Sequence, residues 1–127
     1  MKRILILLAF MLTIAIPTFA QVGIFKATHI NVRATDSEWI GWEKSNVTIT
    51  WDSDSKHITI NSSVPQIIDY VDLNVLQEKD YVTLYSSATD KNYIAVNIYI
   101  TEYKSGTLIF TIEYSNMQYS YNLQKQL

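Results

Sequence analysis

Cysteine is absent from the 127-residue chain, and glycine, proline and histidine are scarce, with three, two and two residues. Without cysteine the chain can form no disulfide and offers no thiol as a nucleophile or metal ligand. His29 and His57 lack a second ligand at metal-binding spacing, and the isolated glycines form no phosphate-binding loop. No serine lies in a Gly-x-Ser-x-Gly motif. The sequence therefore predicts no catalytic residue, no metal site and no cofactor.

Basic charge is also scarce, since 10 basic side chains face 12 acidic ones. The charged residues are scattered along the chain and form no block of one sign. Proteins that bind nucleic acid neutralise phosphates with a concentrated basic surface. We therefore expect no nucleic-acid partner.

The first 20 residues have the pattern of a secretory signal peptide. Two basic residues precede an apolar run at residues 4–16, which Pro17 and the small Ala20 follow. The run is shorter than the roughly 20 residues that a membrane-spanning helix needs. We expect cleavage before Gln21 and no membrane span afterwards.

The remaining chain, residues 21–127, has the length of one domain. No cysteine stands at the cleavage junction, so a lipid-modified N-terminus is not expected. The sequence predicts a secreted or periplasmic bacterial protein that is not a lipoprotein.

Alternation of apolar and polar residues with a period of two runs through this domain, interrupted by short polar clusters. Nine Tyr, three Trp and many Val and Ile residues fit a pleated, half-buried surface. The pattern predicts an all-β fold. About eight strands would form an antiparallel meander that closes into a small lipocalin- or calycin-like barrel or folds into a sandwich.

Two groups of strand pairs can be predicted from loop length. A loop at residues 53–56 places Trp51 opposite Ile58 in a hairpin with one apolar face, which predicts a core position for Trp51. Near the C-terminus, loops at residues 104–106 and 115–116 build a three-stranded meander. Its predicted pairs are Ile100 with Phe110, Ile98 with Ile112, Tyr114 with Met117, Ile112 with Tyr119, and Phe110 with Tyr121.

Two other strands have a less regular pattern. In the first, parity predicts one apolar face, formed by Val22, Ile24, Ile30 and Val32. A strand at residues 66–76 would bury Ile67, Val71, Leu73 and Val75, with Asp69 interrupting that face. Asp69 is expected either to point inward and need a partner, or to turn outward at a bulge.

The segment SEWIGWE holds Trp39 and Trp42, three residues apart. This spacing predicts a short helical turn near residues 38–44 with both rings on one side. The turn would close one end of the barrel, or the two rings would form a ligand platform.

Tyr99 and Tyr103 are predicted on the outer face of their strand. Exposed, they would stack on a sugar or a protein partner; alternatively, another strand or the N-terminal segment covers them. Asp52 and Asp54 predict either a calcium loop or an ordinary hairpin turn. A hairpin turn requires only that these side chains bond to nearby backbone groups.

The stretch Thr89-Asp90-Lys91-Asn92-Tyr93-Ile94-Ala95-Val96 resembles the Thr-Asp-x-x-Tyr-x-x-Val stretch of lipocalins. That resemblance implies an eight-stranded barrel that holds a small apolar ligand. The chain departs from the family because Gly41 directly precedes Trp42, where lipocalins have Gly-x-Trp, and because it is shorter. In overall plan it is also similar to small, signal-bearing all-β proteins of Gram-negative bacteria that have no assigned function.

These observations favour a secreted, non-catalytic binding or interaction domain. Its partner would be a small apolar molecule, a glycan or a protein, and the candidate ligand-binding residues are Trp39, Trp42, Tyr99 and Tyr103. Two alternatives are a carboxylate-dependent hydrolase and a structural or inhibitory protein that docks through an exposed strand edge.

Overall fold

The structure is a computed structural model that describes residues 22–126. Nine strands and no helix occur in this part of the chain. The strands are β1 (Val22–Ala34), β2 (Glu43–Asp52), β3 (His57–Asn61), β4 (Gln66–Tyr70), β5 (Asn74–Gln77), β6 (Tyr81–Thr89), β7 (Ala95–Tyr103), β8 (Leu108–Glu113) and β9 (Met117–Gln126).

Eight of these strands form a closed antiparallel barrel. Neighbours follow the order β4-β3-β2-β1-β9-β8-β7-β6, and β6 pairs back with β4 to close the ring. β5 lies outside the ring and pairs with β6. The predicted all-β fold is confirmed, and the architecture is a barrel.

The hairpins predicted from loop length are confirmed. Trp51 lies opposite Ile58, and four of the five predicted pairs of the C-terminal meander are strand partners. In the fifth pair, the Tyr114 backbone N–H donates to the Met117 carbonyl at 2.7 Å across the turn. Gly106 has a φ of 93°, a backbone conformation that favours glycine in the loop between β7 and β8. These pairs follow from local alternation and short loops, which is why the sequence was sufficient to predict them.

Aromatic rings from several strands meet inside the barrel. The Trp51 ring on β2 lies 6.3 Å from that of Phe110 on β8 and 5.5 Å from that of Tyr70 on β4. The indole N–H of Trp51 donates to the Tyr70 hydroxyl at 3.0 Å. Burial raises the pKa of Tyr70 and raises that of Tyr121 to about 12. Because β2 and β8 are not neighbours, the Trp51–Phe110 contact crosses the interior, so side chains fill the barrel at this level.

The prediction of a single apolar face on β1 is wrong because the strand contains a bulge. Its pairing with both β2 and β9 shifts by one residue between Ala27 and His29. Before the bulge, Phe25 is buried and Ile24 is 44% exposed; after it, Ile30 packs against the core. One extra residue moves the following side chains to the other face, so strict parity assigned Ile24 to the wrong side.

The predicted strand at residues 66–76 is interrupted, and its predicted buried face is wrong in the first half. Ile68 and Tyr70 point into the core, whereas Ile67 is exposed. The break between β4 and β5 then brings Leu73 and Val75 against the core, while Val71 stays exposed. Side chains of opposite parity are buried before and after the break, which a continuous strand cannot do.

Asp69 lies on the outer face of β4. Its carboxylate contacts His57 Nδ1 on the neighbouring strand. Both side chains are about half exposed. Asp69 therefore points outward as one alternative predicted, but the predicted bulge is absent, because β3 and β4 pair without a register shift. The exposed position predicted for His57 is confirmed.

The helical turn predicted near residues 38–44 is wrong. The backbone N–H of Ile40 donates to the Val32 carbonyl at 3.0 Å, and that of Gly41 donates to Asn31 Oδ1 at 2.8 Å. The segment thus folds back along β1, and these N–H groups are engaged by β1 instead of an earlier helical turn. Gly41 has a φ of 123°, where a side chain would be strained.

The predicted signal peptide and cleavage before Gln21 lie outside the described residues. Within residues 22–126 no helix is long and apolar enough to cross a membrane.

Candidate functional site

A continuous row of polar and aromatic side chains crosses the outer surface of five neighbouring strands. We call this row the polar strip; it consists of Trp39, Arg33, Gln118, Glu113, Tyr99 and Tyr85. Its members come from the β1–β2 loop and from strands β1, β9, β8, β7 and β6. Four inter-strand spacings of about 4.8 Å give the strip a length of about 19 Å.

Trp39 and Arg33 form one end of the polar strip. Its guanidinium carbon lies 4.7 Å from the centroid of the Trp39 ring, the geometry of a cation–π contact. Arg33 Nε also donates to Gln118 Oε1 at 2.8 Å. Two contacts therefore hold the arginine head group, and Trp39 beside it is 37% exposed.

Glu113 is the centre of the polar strip. Its Oε2 accepts from Gln118 Nε2 at 2.7 Å, and its Oε1 accepts from the Tyr99 hydroxyl at 3.1 Å and from Asn97 Nδ2 at 3.3 Å. Partial burial, the hydrogen bond to Glu113 and the carboxylate charge all raise the pKa of Tyr99. The tyrosine therefore keeps its proton and acts as a donor towards the carboxylate.

Tyr85 and Tyr99 form the other end of the polar strip. They are direct partners on β6 and β7, with ring centroids 6.5 Å apart and ring planes inclined by 26°. Near-parallel rings on adjacent strands present a broad aromatic surface. Tyr85 is exposed and Tyr99 is half-buried.

Tyr103 belongs to a second aromatic pair on the same two strands. Its ring centroid lies 5.7 Å from that of Tyr81, and Tyr103 is exposed. Between the two pairs, the hydroxyls of Thr83 and Thr101 are 2.8 Å apart. The expectation that a further strand covers Tyr103 is wrong for the described part of the chain.

The structure thus brings together two of the four candidate residues. Trp39 and Tyr99 lie in the polar strip, Tyr103 lies on the same face of β7, and Trp42 lies in the β1–β2 loop outside the strip. Both tryptophans are exposed, and neither belongs to the hydrophobic core. A barrel plug formed by these two rings is therefore not present.

Arg33, Gln118, Glu113 and Tyr85 were not among the sequence candidates. The predicted meander contained a signal for two of them, because pairing Ile112 with Tyr119 also sets Glu113 opposite Gln118. Arg33 joins them only through the pairing of β1 with β9, which connects residues 85 positions apart in the chain.

The segment with Asp52 and Asp54 forms a hairpin turn, the second alternative predicted for it. Asp52 Oδ1 accepts the backbone N–H of Asp54 at 3.1 Å, which is a hairpin-turn interaction. Lys56 pairs with Asp72 at 2.9 Å on the surface. Within residues 22–126, no group of three or more His, Asp or Glu side chains could hold a metal ion.

The chain was compared with protein-family models, with curated proteins and with solved structures, and none of the three comparisons gave a match. The fold and the polar strip define an all-β protein with a closed eight-stranded barrel and an ordered outer surface.

Proposed function

We propose that this protein is a secreted, non-catalytic binding domain that recognises a glycan through the polar strip. The observation that carries this proposal is the unbroken series of contacts from Trp39 through Glu113 to Tyr85. Secretion rests on the signal-peptide pattern of residues 1–20.

The chemistry of the strip suits a sugar. A pyranose ring has apolar C–H faces that stack on aromatic rings, and hydroxyl groups that both donate and accept hydrogen bonds. The strip has aromatic rings at its two ends, and a guanidinium, an amide and a carboxylate between them. Its length of about 19 Å favours an oligosaccharide over a single sugar.

The strip is also ordered before any ligand arrives. Arg33, Gln118 and Glu113 are each held by a side-chain partner. Binding then loses less side-chain entropy, at about 0.5–1.5 kcal/mol for each long side chain that would otherwise become immobilised. Fixed donors and acceptors also favour one orientation of the ligand.

Two alternatives receive less support. A small apolar ligand in the barrel would need a cavity, whereas the rings of Trp51, Tyr70 and Phe110 meet across the interior. Glycoside hydrolysis usually requires two facing carboxyl groups, and the polar strip contains a single one, on Glu113.

Binding can be tested on an array of neutral and acidic oligosaccharides, followed by isothermal titration calorimetry with each glycan that binds. We expect Tyr85→Ala and Glu113→Ala to weaken binding at least tenfold, because they remove the stacking surface and the centre of the hydrogen-bonded row. Tyr93→Ala is the matched control, since Tyr93 is an exposed tyrosine outside the strip. Binding that survives both strip substitutions, or the absence of saturable binding to any glycan, contradicts the proposal.

Tryptophan fluorescence gives an independent readout of position. Trp51 is buried, so a ligand on the strip should change the emission of Trp39. Trp39→Phe keeps an aromatic ring and should remove most of the spectral change while leaving measurable calorimetric binding. An unchanged signal in this variant would place the ligand elsewhere.

A further inference from the structure

A second row of side chains continues from one end of the polar strip, at the pair of Tyr85 and Tyr99. Two more direct strand pairs follow on the same outer face of β6 and β7, namely Thr83 with Thr101 and Tyr81 with Tyr103. We call these three pairs the tyrosine ladder. The ladder runs along the two strands, whereas the polar strip crosses them. The two surfaces therefore lie at a large angle to each other and share Tyr85 and Tyr99.

The tyrosine ladder presents two aromatic pairs at a fixed separation. The ring centroids of Tyr81 and Tyr103 are 5.7 Å apart, and those of Tyr85 and Tyr99 are 6.5 Å apart. Tyr85 lies four residues after Tyr81 in the same strand, which corresponds to about 13 Å between the two pairs. A single sugar ring is too small to contact both pairs, so a ligand that does so contains several sugars.

The tyrosine side chains of the ladder are its accessible groups. Tyr85 and Tyr103 are each 39% exposed, whereas Thr83 is buried and its hydroxyl lies 2.8 Å from that of Thr101. The threonine pair therefore satisfies its own hydrogen bonding beneath the rings. In the part of the chain that the structure describes, the hydroxyls of Tyr81, Tyr85 and Tyr103 have no hydrogen-bond partner. They are therefore free to donate to and accept from a ligand.

The outer face around the ladder carries almost no charge. Every outward-facing residue of β5, β6 and β7 is uncharged, namely Asn74, Leu76, Tyr81, Thr83, Tyr85, Ser87, Thr89, Ala95, Asn97, Tyr99, Thr101 and Tyr103. The loops beside the Tyr81–Tyr103 pair carry two acidic and two basic side chains, which offset each other, namely Glu78, Asp80, Lys79 and Lys104. A charged ligand on this face would lose hydration without gaining an ion pair. The ladder therefore suits an uncharged ligand.

The two charges of the polar strip fit the same class of ligand. Arg33 and Glu113 have opposite signs, and each is engaged by side chains of the strip. Neither surface therefore offers an unpaired charge to an acidic or a basic sugar. Both surfaces offer aromatic faces for the C–H groups of a pyranose and polar groups for its hydroxyls.

We propose that the glycan bound by this protein is an uncharged, branched oligosaccharide, with one branch along the polar strip and a second along the tyrosine ladder. This inference rests on the proposed function of the strip. The branch point lies over Tyr85 and Tyr99, which belong to both surfaces. Two chains that leave one sugar in different directions can occupy both surfaces, whereas a straight chain covers only one of them.

The test is isothermal titration calorimetry with branched oligosaccharides and their unbranched backbones. The branched probes derive from xyloglucan and galactomannan, the linear probes are cellotetraose and mannotetraose, and oligogalacturonate is the acidic probe. We expect a branched probe to bind about tenfold more tightly than its own linear backbone, because it also stacks on the second tyrosine pair.

Substitutions in the ladder should remove this preference for the branched probe. Tyr103→Ala and Tyr81→Ala should each bring the affinity for the branched probe close to that for its linear backbone, whereas Tyr103→Phe keeps the ring and should retain most of the difference. Tyr93→Ala is the matched control, since Tyr93 is an exposed tyrosine outside both surfaces. Circular dichroism should show that each variant folds.

Three results overturn this inference: equal affinity for the branched and linear probes, tightest binding of the acidic probe, or a preference for the branched probe that survives both alanine substitutions in the ladder. In each of these cases, glycan binding that Glu113→Ala still weakens leaves the proposed function of the strip intact. The absence of saturable binding to every glycan contradicts both proposals. A failure of the ladder can therefore be distinguished from a failure of the polar strip.

Discussion

At the scale of single residues, the barrel is held by polar side chains that the apolar pattern did not single out. Asp90 illustrates this, because it is buried and its carboxylate accepts three hydrogen bonds, from the backbone N–H groups of Asn92 and Ile94 and from the Tyr114 hydroxyl. In the sequence, Asp90 stands in a short polar cluster that interrupts the apolar alternation. The structure shows that the side chain also joins the β6–β7 loop to the loop after β8.

Removal of the Asp90 carboxylate should destabilise the protein. We expect Asp90→Ala to lower the free energy of unfolding by about 1–3 kcal/mol at pH 7, because the two N–H groups and the tyrosine hydroxyl lose their acceptor. Asp90→Asn keeps one oxygen acceptor and should cost less. Urea denaturation followed by circular dichroism measures both variants. Equal stability of the wild type and Asp90→Ala would contradict this role.

Asp90 should also make the free energy of unfolding depend on pH. Burial tends to raise the pKa of Asp90, but the N–H groups of Ile94 and Asn92, the Tyr114 hydroxyl and the nearby Lys91 charge together lower it below its ordinary value of 3.8. A lowered folded-state pKa stabilises the fold above the unfolded value, and this contribution is lost as the pH falls through the folded-state pKa. The stability difference between the wild type and Asp90→Asn should therefore shrink below pH 3.8. A constant difference over that range would be inconsistent with the lowered pKa.

At the scale of strands, one residue of register decides which side chains are buried. Local alternation was sufficient for the β2–β3 hairpin and the C-terminal meander, where loops are short and each strand is regular. It failed in β1, where a bulge after Ala27 reverses parity, and in residues 66–76, where β4 ends and β5 begins. In both places apolar residues occur at both parities, so the pattern alone could not select the inner face.

Ile67 and Ile68 provide a matched test of the corrected face. Ile68 is fully buried, and Ile67 is 43% exposed. Ile68→Ala should cost about 2–5 kcal/mol of unfolding free energy, because it leaves a cavity in the core. Ile67→Ala should change it by less than about 1 kcal/mol. Thermal or urea denaturation measures both variants. If Ile67→Ala destabilised the protein more than Ile68→Ala, the face predicted from parity would be the buried one.

At the scale of the whole molecule, the two contacts that close the barrel differ greatly in length. β1 and β9 pair along most of their lengths, whereas β4 and β6 share two residue pairs, Asp69 with Thr89 and Tyr70 with Ala88. Short pairings with few buried contacts open most readily. We therefore expect the seam between β4 and β6 to be the first part of the barrel to open.

Hydrogen exchange can test this order of opening. Backbone amides of residues 68–71 and 88–89 should exchange faster than those of residues 98–100 and 110–112, which lie in the six-pair β7–β8 ladder. A disulfide between Asp69→Cys and Thr89→Cys should slow exchange at the seam. Because the chain has no other cysteine, this pairing is unambiguous, and direct strand partners have a suitable Cα separation of about 4.5–5.5 Å. Equal exchange rates across the two regions would contradict a weak seam.

Part of the candidate surface was predicted from the sequence, and the rest was found only in the structure. Trp39 and Tyr99 were selected as exposed aromatic residues, and both lie in the polar strip. Arg33 and Gln118 could not be joined to them, because their contact requires β1 to pair with β9 across the closed barrel. Tyr93 was predicted at the start of a strand, whereas it lies in the loop before β7, and its exposure and positive φ depend on how Asp90 holds that loop.

The all-β class, the local hairpins and the core position of Trp51 could be predicted from the sequence alone, because they follow from alternation and loop length between neighbouring segments. The closure of the barrel, the bulge in β1 and the assembly of the polar strip became visible only in the folded chain. Each of these depends on pairing or contact between segments far apart in the chain, as with Arg33 and Gln118, and a shift of one residue in such a pairing moves every following side chain to the opposite face.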